Sequence, residues 1–509
     1  MRRGSSGLSS PRGARAAEML VFATPLVVYV ATLPVGLTWA HEGADGGDLI
    51  AAARTLGIPH PPGYPLYTLL ARLFLLVGWG TPAHRVALLS AVAGAGAAWA
   101  LFRLCLALVG LSRWPLALSA SLMWAFAPIP WGQAVIAEVY ALGGLLAMGL
   151  LAALLHWRNT ASRGAWRAAW LLFGLGMAHH PLIAACLVPA GVWAWQQRRR
   201  ADGRSWGEAV GLAALGLALY IYLPLRAAAS PPINWGEPRT LAGFWWVVSA
   251  APYRPYVFGL PLGEWPSRVG AWASLLLGQF KVWGVALGLW GALALHERDK
   301  AASWGLLGLF GLITVYAIGY DTTDSFVYLL PALAVFAVWI AAGLGDIAER
   351  VAARRAGLTR AAQVGLVAAL VAMPVLSLGM NWAACDLRGD REAQAYVDAS
   401  LAALPTDALV LADGDRQTFA LWYARWALDG AFCGEVLSVP LLRLDWYRAQ
   451  VLRRNPHLVL PDANLPQEAF LAQLIGGNVD DRPIFVTANY LAPGGWRVEP
   501  AGPLLRVSR

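Results

Sequence analysis

The stretch HEGADGGDLIAAARTLGIPHPPGYPLY, residues 41–67, places Glu42, Asp45 and Asp48 together and follows them with His60 and four prolines. It comes directly after an apolar run from about Met19 to Trp39, in a chain that is 58% hydrophobic and only 14% charged. Acids gathered at the exit of an apolar helix mark the point where a membrane segment meets water. The rest of the chain is therefore read outward from this point.

With 26 Trp, 53 Gly and 32 Pro in 509 residues and a mean hydropathy of +0.52, the chain is too apolar for a soluble enzyme. It is expected to be a polytopic membrane protein. The net charge of +9 does not point to nucleic acid, because the basic residues fall in short clusters between apolar runs, as cytoplasmic loops do. Arg2, Arg3, Arg12 and Arg15 precede the first run, and the spans that follow make it an uncleaved first helix instead of a signal peptide. Cys105 and Cys186 lie in apolar runs. Cys385 and Cys433 fall in a later polar part, where an oxidising compartment would allow them to pair.

Apolar runs near 19–39, 86–110, 115–130, 134–155, 168–178, 181–195, 207–225, 270–295, 303–319, 326–345 and 361–380 predict about eleven spans. The run 64–77 is short and is assigned to a partly embedded segment. Counted from a cytoplasmic N-terminus, the basic loops LSRW, HWRNTASRGAWR, QQRRRADGR, HERDK and ERVAARRAGLTR all fall inside, as a lysine and arginine bias requires. The opening stretch, PWGQ, AHHP, the loop from about 227 to 269 and GYDTTDS fall outside. The expected organisation is a disordered cytoplasmic N-terminus over 1–18, a transmembrane domain over 19–383 with outer loops at about 40–85 and 227–269, and an extracytoplasmic domain over 384–509. In that last part DALVLAD and RPIFVTA read as buried strands, and QTFALWYARWAL, LDWYRAQVLRR and QEAFLAQLIGG as helices. Such alternation predicts a small α/β domain.

Asp45 and Asp48 stand three apart at the start of a segment rich in Ala and Leu, so on a helix they share one side. One reading is that they cap that helix. The other is a carboxylate at the mouth of the bundle, partly desolvated and so suited to general-base work. The prolines of PHPPGYP halt the helix and turn the chain back, and His60 beside them is either a ligand or a solvated loop residue. Glu138 lies in an apolar run, where a carboxylate marks a site or partners an outer Arg or His. His179 and His180 open a helix and either contact an anion, pair with a carboxylate or form a plain polar turn. Arg226 ends a span, where it reaches for a lipid headgroup or forks around a phosphate. Asp321 and Asp324 repeat the spacing of the first pair and read as a solvated loop. Converging acids and histidines permit a divalent metal, but no tight ligand spacing occurs, and no Walker loop, GxSxG or HExxH is present.

Taken together, ADGGDLIAAARTLGIPHPPGYPLYTLLARL, AEVYAL, HHP, YLPLRA, NWGEP and the soluble DGDRQTFALWYARW and LDWYRAQ resemble an uncharacterised-domain family of GT-C superfamily membrane glycosyltransferases. That family includes a vertebrate transmembrane protein O-mannosyltransferase. Its usual Asp-Ser-Gly-Glu is here Asp45-Gly46-Gly47-Asp48, and its usual Gly-Asp-Asn is here Gly414-Asp415-Arg416. The resemblance implies a polytopic α-helical GT-C-like bundle with a small C-terminal soluble α/β domain, in a bacterial inner membrane or its equivalent. It implies an inverting transfer of a sugar, mannose in the family, from a polyprenyl-phosphate-linked donor to a protein, glycan or lipid acceptor. The active site would face the periplasm; many transferases of the superfamily work without a metal, and the paired acids permit one. Catalysis passes to Asp45, with Asp48 beside it. Substrate binding passes to His60, Tyr64, Glu138, Tyr140, His179, His180, Arg226, Asn234 and Trp235, with Arg226 and a histidine on the leaving phosphate. The rival is a flippase or transporter of lipid-linked sugars. Against it, the charged residues are heaped on one face and not near the midplane.

Overall fold

The computed structural model describes residues 11–200, 202–353, 360–430 and 432–509. The first part is helical: α1 (Pro11–Ala31), α2 (Gly46–Thr55), α3 (Pro65–Phe74), α4 (Pro82–Val109), α5 (Trp114–Ala125), α6 (Pro128–Ala134), α7 (Tyr140–Thr160) and α8 (Arg163–Met177). There follow α9 (Leu187–Gln196), α10 (Gly203–Leu217), α11 (Tyr222–Ala228), α12 (Leu241–Val248), α13 (Trp265–Arg298), α14 (Lys300–Gly319), α15 (Leu330–Ala353) and α16 (Arg360–Cys385). Among the described residues eight helices are long and apolar enough to cross a membrane. The other three expected spans are helical but short: α5, α8 and the apolar stretch Pro181–Gln196. Prolines at Pro115 and Pro128 and the polar turn at His179 cut these runs below a full crossing. The first helix begins at Pro11, so residues 11–18 are helical where disorder was expected; residues 1–10 lie outside the described residues. Part of the ERVAARRAGLTR loop, residues 354–359, also lies outside them.

Burial separates the helices into a centre and a rim. The window Ser325–Val351 around α15 is 89% buried, whereas Gly203–Ala228 and Ala368–Cys385 are each 22% buried and keep apolar faces for lipid. Close approach of α13 to α15 rests on small residues: a Cβ on Gly291 would run into the Trp339 carbonyl and reach within 2.5 Å of the Gly343 nitrogen. One end of the bundle is tied by its basic loops. Arg158 at the end of α7 forks onto Asp299 at 2.7 and 2.6 Å, Arg298 reaches Asp346 at 2.7 Å, and Arg113 pairs with Glu349. The acid, histidine and proline loops gather at the opposite end.

The C-terminal part comprises α17 (Glu392–Ala403), β1 (Leu409–Ala412), α18 (Asp415–Trp426), β2 (Glu435–Ser438), α19 (Asp445–Arg454), α20 (Gln467–Gly476), β3 (Ile484–Val486), β4 (Arg497–Ala501) and β5 (Leu504–Ser508). The sheet runs β2-β1-β3-β5-β4, with β1 parallel to β2 and β3, and β5 antiparallel to β3 and β4. Val410 on β1 sits between Val436 and Phe485, and all four residues of β1 are buried, as a continuous apolar run in a central parallel strand requires. Both expected strands and all three expected helices are present. Three strands were not read from the sequence. In β2 the charge of Glu435, buried and paired with Arg454 at 2.7 Å, interrupts the apolar run. In β4 Pro500 suits only an edge, and an edge is where β4 lies. Cys385 is buried, Cys433 is exposed, and both are free thiols.

This domain is fastened to the membrane part. α18 packs on α2 because Gly47 has no side chain: a Cβ there would lie 2.5 Å from the Phe419 carbonyl carbon and nearer still to its oxygen. Gln450 donates to the Asn234 carbonyl at 2.6 Å, Arg453 pairs with Glu237 at 2.7 Å, Arg54 pairs with Asp429 at 2.7 Å, and Gln394 accepts from the Leu37 amide at 3.1 Å. Trp235 meets Phe419, Trp422 and Trp446 with ring centroids 6.0–6.2 Å apart.

Candidate active site

Asp45 closes a 3-10 turn (Ala40–Asp45) whose His41 and Glu42 take left-handed φ of 54° and 63°. That turn changes the geometry expected from an i, i+3 pair. Asp45 stands at the N-cap of α2 but makes no side-chain cap, and Asp48 in the first turn points the other way. Neither acid caps the helix, so the capping reading is corrected. Asp48 is fully buried and accepts three hydrogen bonds: from the His60 amide and Nδ1, both at 2.9 Å, and from Trp235 Nε1 at 3.1 Å. A fully enclosed carboxylate with three donors has no free face for substrate. Its expected catalytic role is thereby replaced by one of holding His60.

Because Asp48 only accepts, His60 Nδ1 must carry a proton, and Nε2 is then aimed at Asp45 Oδ2, 3.4 Å away. The ring is 5% exposed and stacks on Phe419 of α18 at 6.3 Å and 12°. Asp45 differs from Asp48 in being open, with 37% of its side chain accessible. It faces a cavity of about 800 Å³, within the range of small-molecule sites.

Six separate parts of the chain wall that cavity. His60 and Tyr64 come from the first loop, and His180 from the turn after α8. Tyr253, Arg254 and Tyr256 come from the long outer loop, and Tyr316, Tyr320, Asp324 and Tyr328 from α14 and the turn behind it. Gly414, Asp415, Arg416 and Gln417 come from the C-terminal domain. Tyr140 completes a wall of seven tyrosines. Rings of this kind suit sugars, whose C–H faces are apolar and whose hydroxyls meet phenol groups at the ring edge. Asp324, read from sequence as a solvated loop residue, lies on this wall. The tyrosines of the long loop and of VYAIGYDTTDSFVY were missed, although their density in GYDTTDSFVY and APYRPY is a signal in retrospect.

Other expected residues are placed elsewhere. Arg226 does not line the cavity: its Nε donates to the Leu56 carbonyl at 2.6 Å and its Nη2 to Thr55 at 3.4 Å, so it ties down the C-terminal end of α2. The phosphate role expected of it is corrected. The arginines that do line the cavity are Arg254 and Arg416. His179 is buried and donates Nε2–H to the Val139 carbonyl at 2.9 Å, while burial draws its imidazole down to about 4. His180 accepts from the Leu182 amide at 3.1 Å through Nδ1, and burial, then His179 and His60, draw it down to about 3. Both rings are neutral near pH 7, so neither brings positive charge to a phosphate. Glu138 is buried behind the cavity wall with one oxygen on the Val139 amide at 3.2 Å, and burial, with Asp45, pushes its carboxyl well up. Asn234 is buried below the wall, where its backbone joins that of Ile58, and Trp235 acts on Asp48. Among the described residues no group of three or more His, Cys, Asp or Glu is placed to hold a metal ion.

Residues 45–203 match the family model described as the protein O-mannosyl-transferase TMEM260 N-terminal domain. A crystal structure of ArnT from Cupriavidus metallidurans bound to undecaprenyl phosphate superimposes with a TM-score of 0.63 at 14% identity, covering 98% of each chain. The chain has the GT-C fold. An Archaeoglobus fulgidus oligosaccharyltransferase in complex with zinc and sulfate gives a TM-score of 0.52 at 14% identity, over 96% of this chain and 72% of that one. In sequence, the chain is 28% identical over 481 residues to the Mus musculus protein O-mannosyl-transferase TMEM260, covering 88% of this chain and 66% of that protein. It is 23% identical to the Dictyostelium discoideum protein of the same description, over 93% of this chain and 63% of that one. The chain thus spans slightly less than two thirds of the length of these relatives. The family match begins at Asp45 itself.

Proposed function

We propose that this chain is an inverting glycosyltransferase that moves a sugar, with mannose as the first candidate, from a polyprenyl-phosphate-linked donor to an acceptor hydroxyl outside the cytoplasm. The observation that carries the reading is the Asp45 carboxylate, 3.4 Å from His60 and open to a tyrosine-lined cavity, which Glu42, Asp324 and Asp415 also line, at the end of the bundle remote from its basic loops. Asp45 takes the proton of the acceptor hydroxyl as that oxygen bonds to the anomeric carbon. The bond from that carbon to the phosphate oxygen breaks on the opposite side, and polyprenyl phosphate leaves. Arg254 and Arg416 meet the charge on the departing phosphate. The O-mannosyl-transferase relatives and the undecaprenyl phosphate bound to ArnT support the donor class.

The test is transfer by the purified chain from radiolabelled polyprenyl-phosphate mannose to peptide, glycan and lipid acceptors. Failure with every donor, together with measurable movement of the lipid across vesicles, would replace the transferase with a flippase. Replacing both Arg254 and Arg416 by Gln weakens polyprenyl-phosphate binding roughly tenfold or more, because charge-assisted hydrogen bonds contribute about 1.5–3 kcal/mol each; competition binding reads this, and an unchanged affinity moves the phosphate elsewhere. Sidedness has its own check. With Cys433 replaced, a Glu42→Cys chain in intact cells is labelled by an impermeant thiol reagent from the outer side, and labelling only after lysis would invert the topology.

A further inference from the structure

Resting on the reading of Asp45 as base, we propose that His60 is a positioning residue: held as an imidazolium between Asp48 and Asp45, it aims the Asp45 carboxylate into the cavity and keeps it ionised. Three observations meet here. Asp48 is enclosed and spends two of its three hydrogen bonds on His60, one on the backbone and one on the ring, so the ring can neither rotate nor shift. With Nδ1–H committed to Asp48, the only free atom of the ring, Nε2, faces Asp45 Oδ2 at 3.4 Å. Phe419 stacks on the ring from the C-terminal domain, so the placement of His60 also depends on the docking of that domain.

The charges around the ring come from several elements. Asp45 stands at the N-cap position of α2, Asp48 lies in its first turn, and Glu138 precedes α7. His180 follows α8, while Asp415 on α18 and Asp324 after α14 face Asp45. Tyr64 and Tyr253 present their rings at 5.2 and 6.4 Å. Acids outnumber bases in this set. Burial lowers the basicity of His60, but Asp45, the Asp48 hydrogen bond and charge, and Glu138 together outweigh it and raise the imidazole to about 9. The reciprocal effect falls on Asp45, where His60 opposes burial and the other acids. Without that cation, four carboxylates in one enclosed space would drive Asp45 towards its protonated form, which cannot accept a proton.

His60→Gln in the full chain keeps a hydrogen-bonding side chain and removes the charge. The acid limb of its kcat/KM profile moves to higher pH by a unit or more, so transfer falls about tenfold near the wild-type limb and little well above it. The KM for donor stays within about twofold, since positioning acts on the base. An acid limb unmoved in His60→Gln, with a uniform loss at every pH, would make the histidine structural and overturn the proposal. Two further measurements do not depend on transfer, and the first needs only the wild type. In 15N-histidine spectra one imidazole titrates near pH 9; if every imidazole signal is neutral by pH 7.5, the proposal falls. The infrared band of the protonated Asp45 carboxyl, identified by its loss in Asp45→Asn, shifts to higher pH on substitution of His60. If both signals behave as expected while no transfer is found with any donor, the transferase reading fails and the ion-pair geometry stands.

Discussion

Asp45→Asn lowers the rate of sugar transfer by roughly a hundred- to ten-thousand-fold, the usual loss when a general base is removed. The substitution keeps shape and polarity, and its side chain still has the cavity on one side and His60 on the other, so folding and donor binding are retained. Only the capacity to accept a proton is lost. A pH dependence goes with it. Burial pushes the Asp45 carboxyl up, His60 draws it back, and Asp415, Asp48 and Asp324 add to the rise, leaving it at about 6. A base acts in its ionised form, so wild-type transfer falls as the pH drops through about 6, and the residual activity of Asp45→Asn has no such limb. Initial rates with radiolabelled donor across the pH range read both effects. Undiminished transfer by Asp45→Asn would place the base on another residue.

Gly47→Val separates the C-terminal domain from the bundle. A side chain at Gly47 meets the backbone of Phe419, not the end of a flexible group, so α18 must retreat. Overpacking of this kind costs about 1–3 kcal/mol where side chains can adjust, and a clash with backbone lies at the upper end or beyond. At Gly36 the nearest atoms a Cβ would meet belong to the Gln394 side chain, which can swing away at the cost of its bond to the Leu37 amide, so a substitution there is expected to be milder. When α18 moves, Phe419 leaves His60 and the Gly414–Gln417 turn leaves the cavity wall, so transfer is lost while the bundle stays folded. Limited proteolysis between α16 and α17 reads the separation directly. A Gly47→Val chain as resistant and as active as wild type would show that the domain contact is dispensable.

How far the site was legible depends on what each residue needs. The apolar runs are local, and helices formed over all eleven of them, because twenty residues of hydrocarbon leave the backbone no other way to satisfy its hydrogen bonds. Where a run is cut by Pro115, Pro128 or His179 the helix is shorter than composition alone suggested. In the C-terminal domain the central strands β1 and β3 were legible from unbroken apolar runs, whereas β2 carries a buried Glu435 whose partner, Arg454, lies on a different element. The same limit applies at the site. A span-ending arginine such as Arg226 looks alike in sequence whether it reaches for phosphate or for the carbonyls of Leu56 and Thr55.

The sequence alone determined a membrane bundle, the segregation of basic loops from acid and histidine loops, an α/β domain at the C-terminus and the motif containing Asp45. Each of these rests on composition or on neighbours in the chain. Only the tertiary structure decided that Asp45 opens on the cavity while Asp48 is enclosed, that Arg254 and Arg416 are the cavity's arginines, and that the Gly414–Gln417 turn completes its wall. The reason is that direction and burial are set by what packs against a side chain. Asp48 is buried by Trp235 and His60, and Asp45, on the other side of the His60 ring, is half-buried and opens on the cavity. No spacing within residues 41–67 could encode a wall built from six separate parts of the chain.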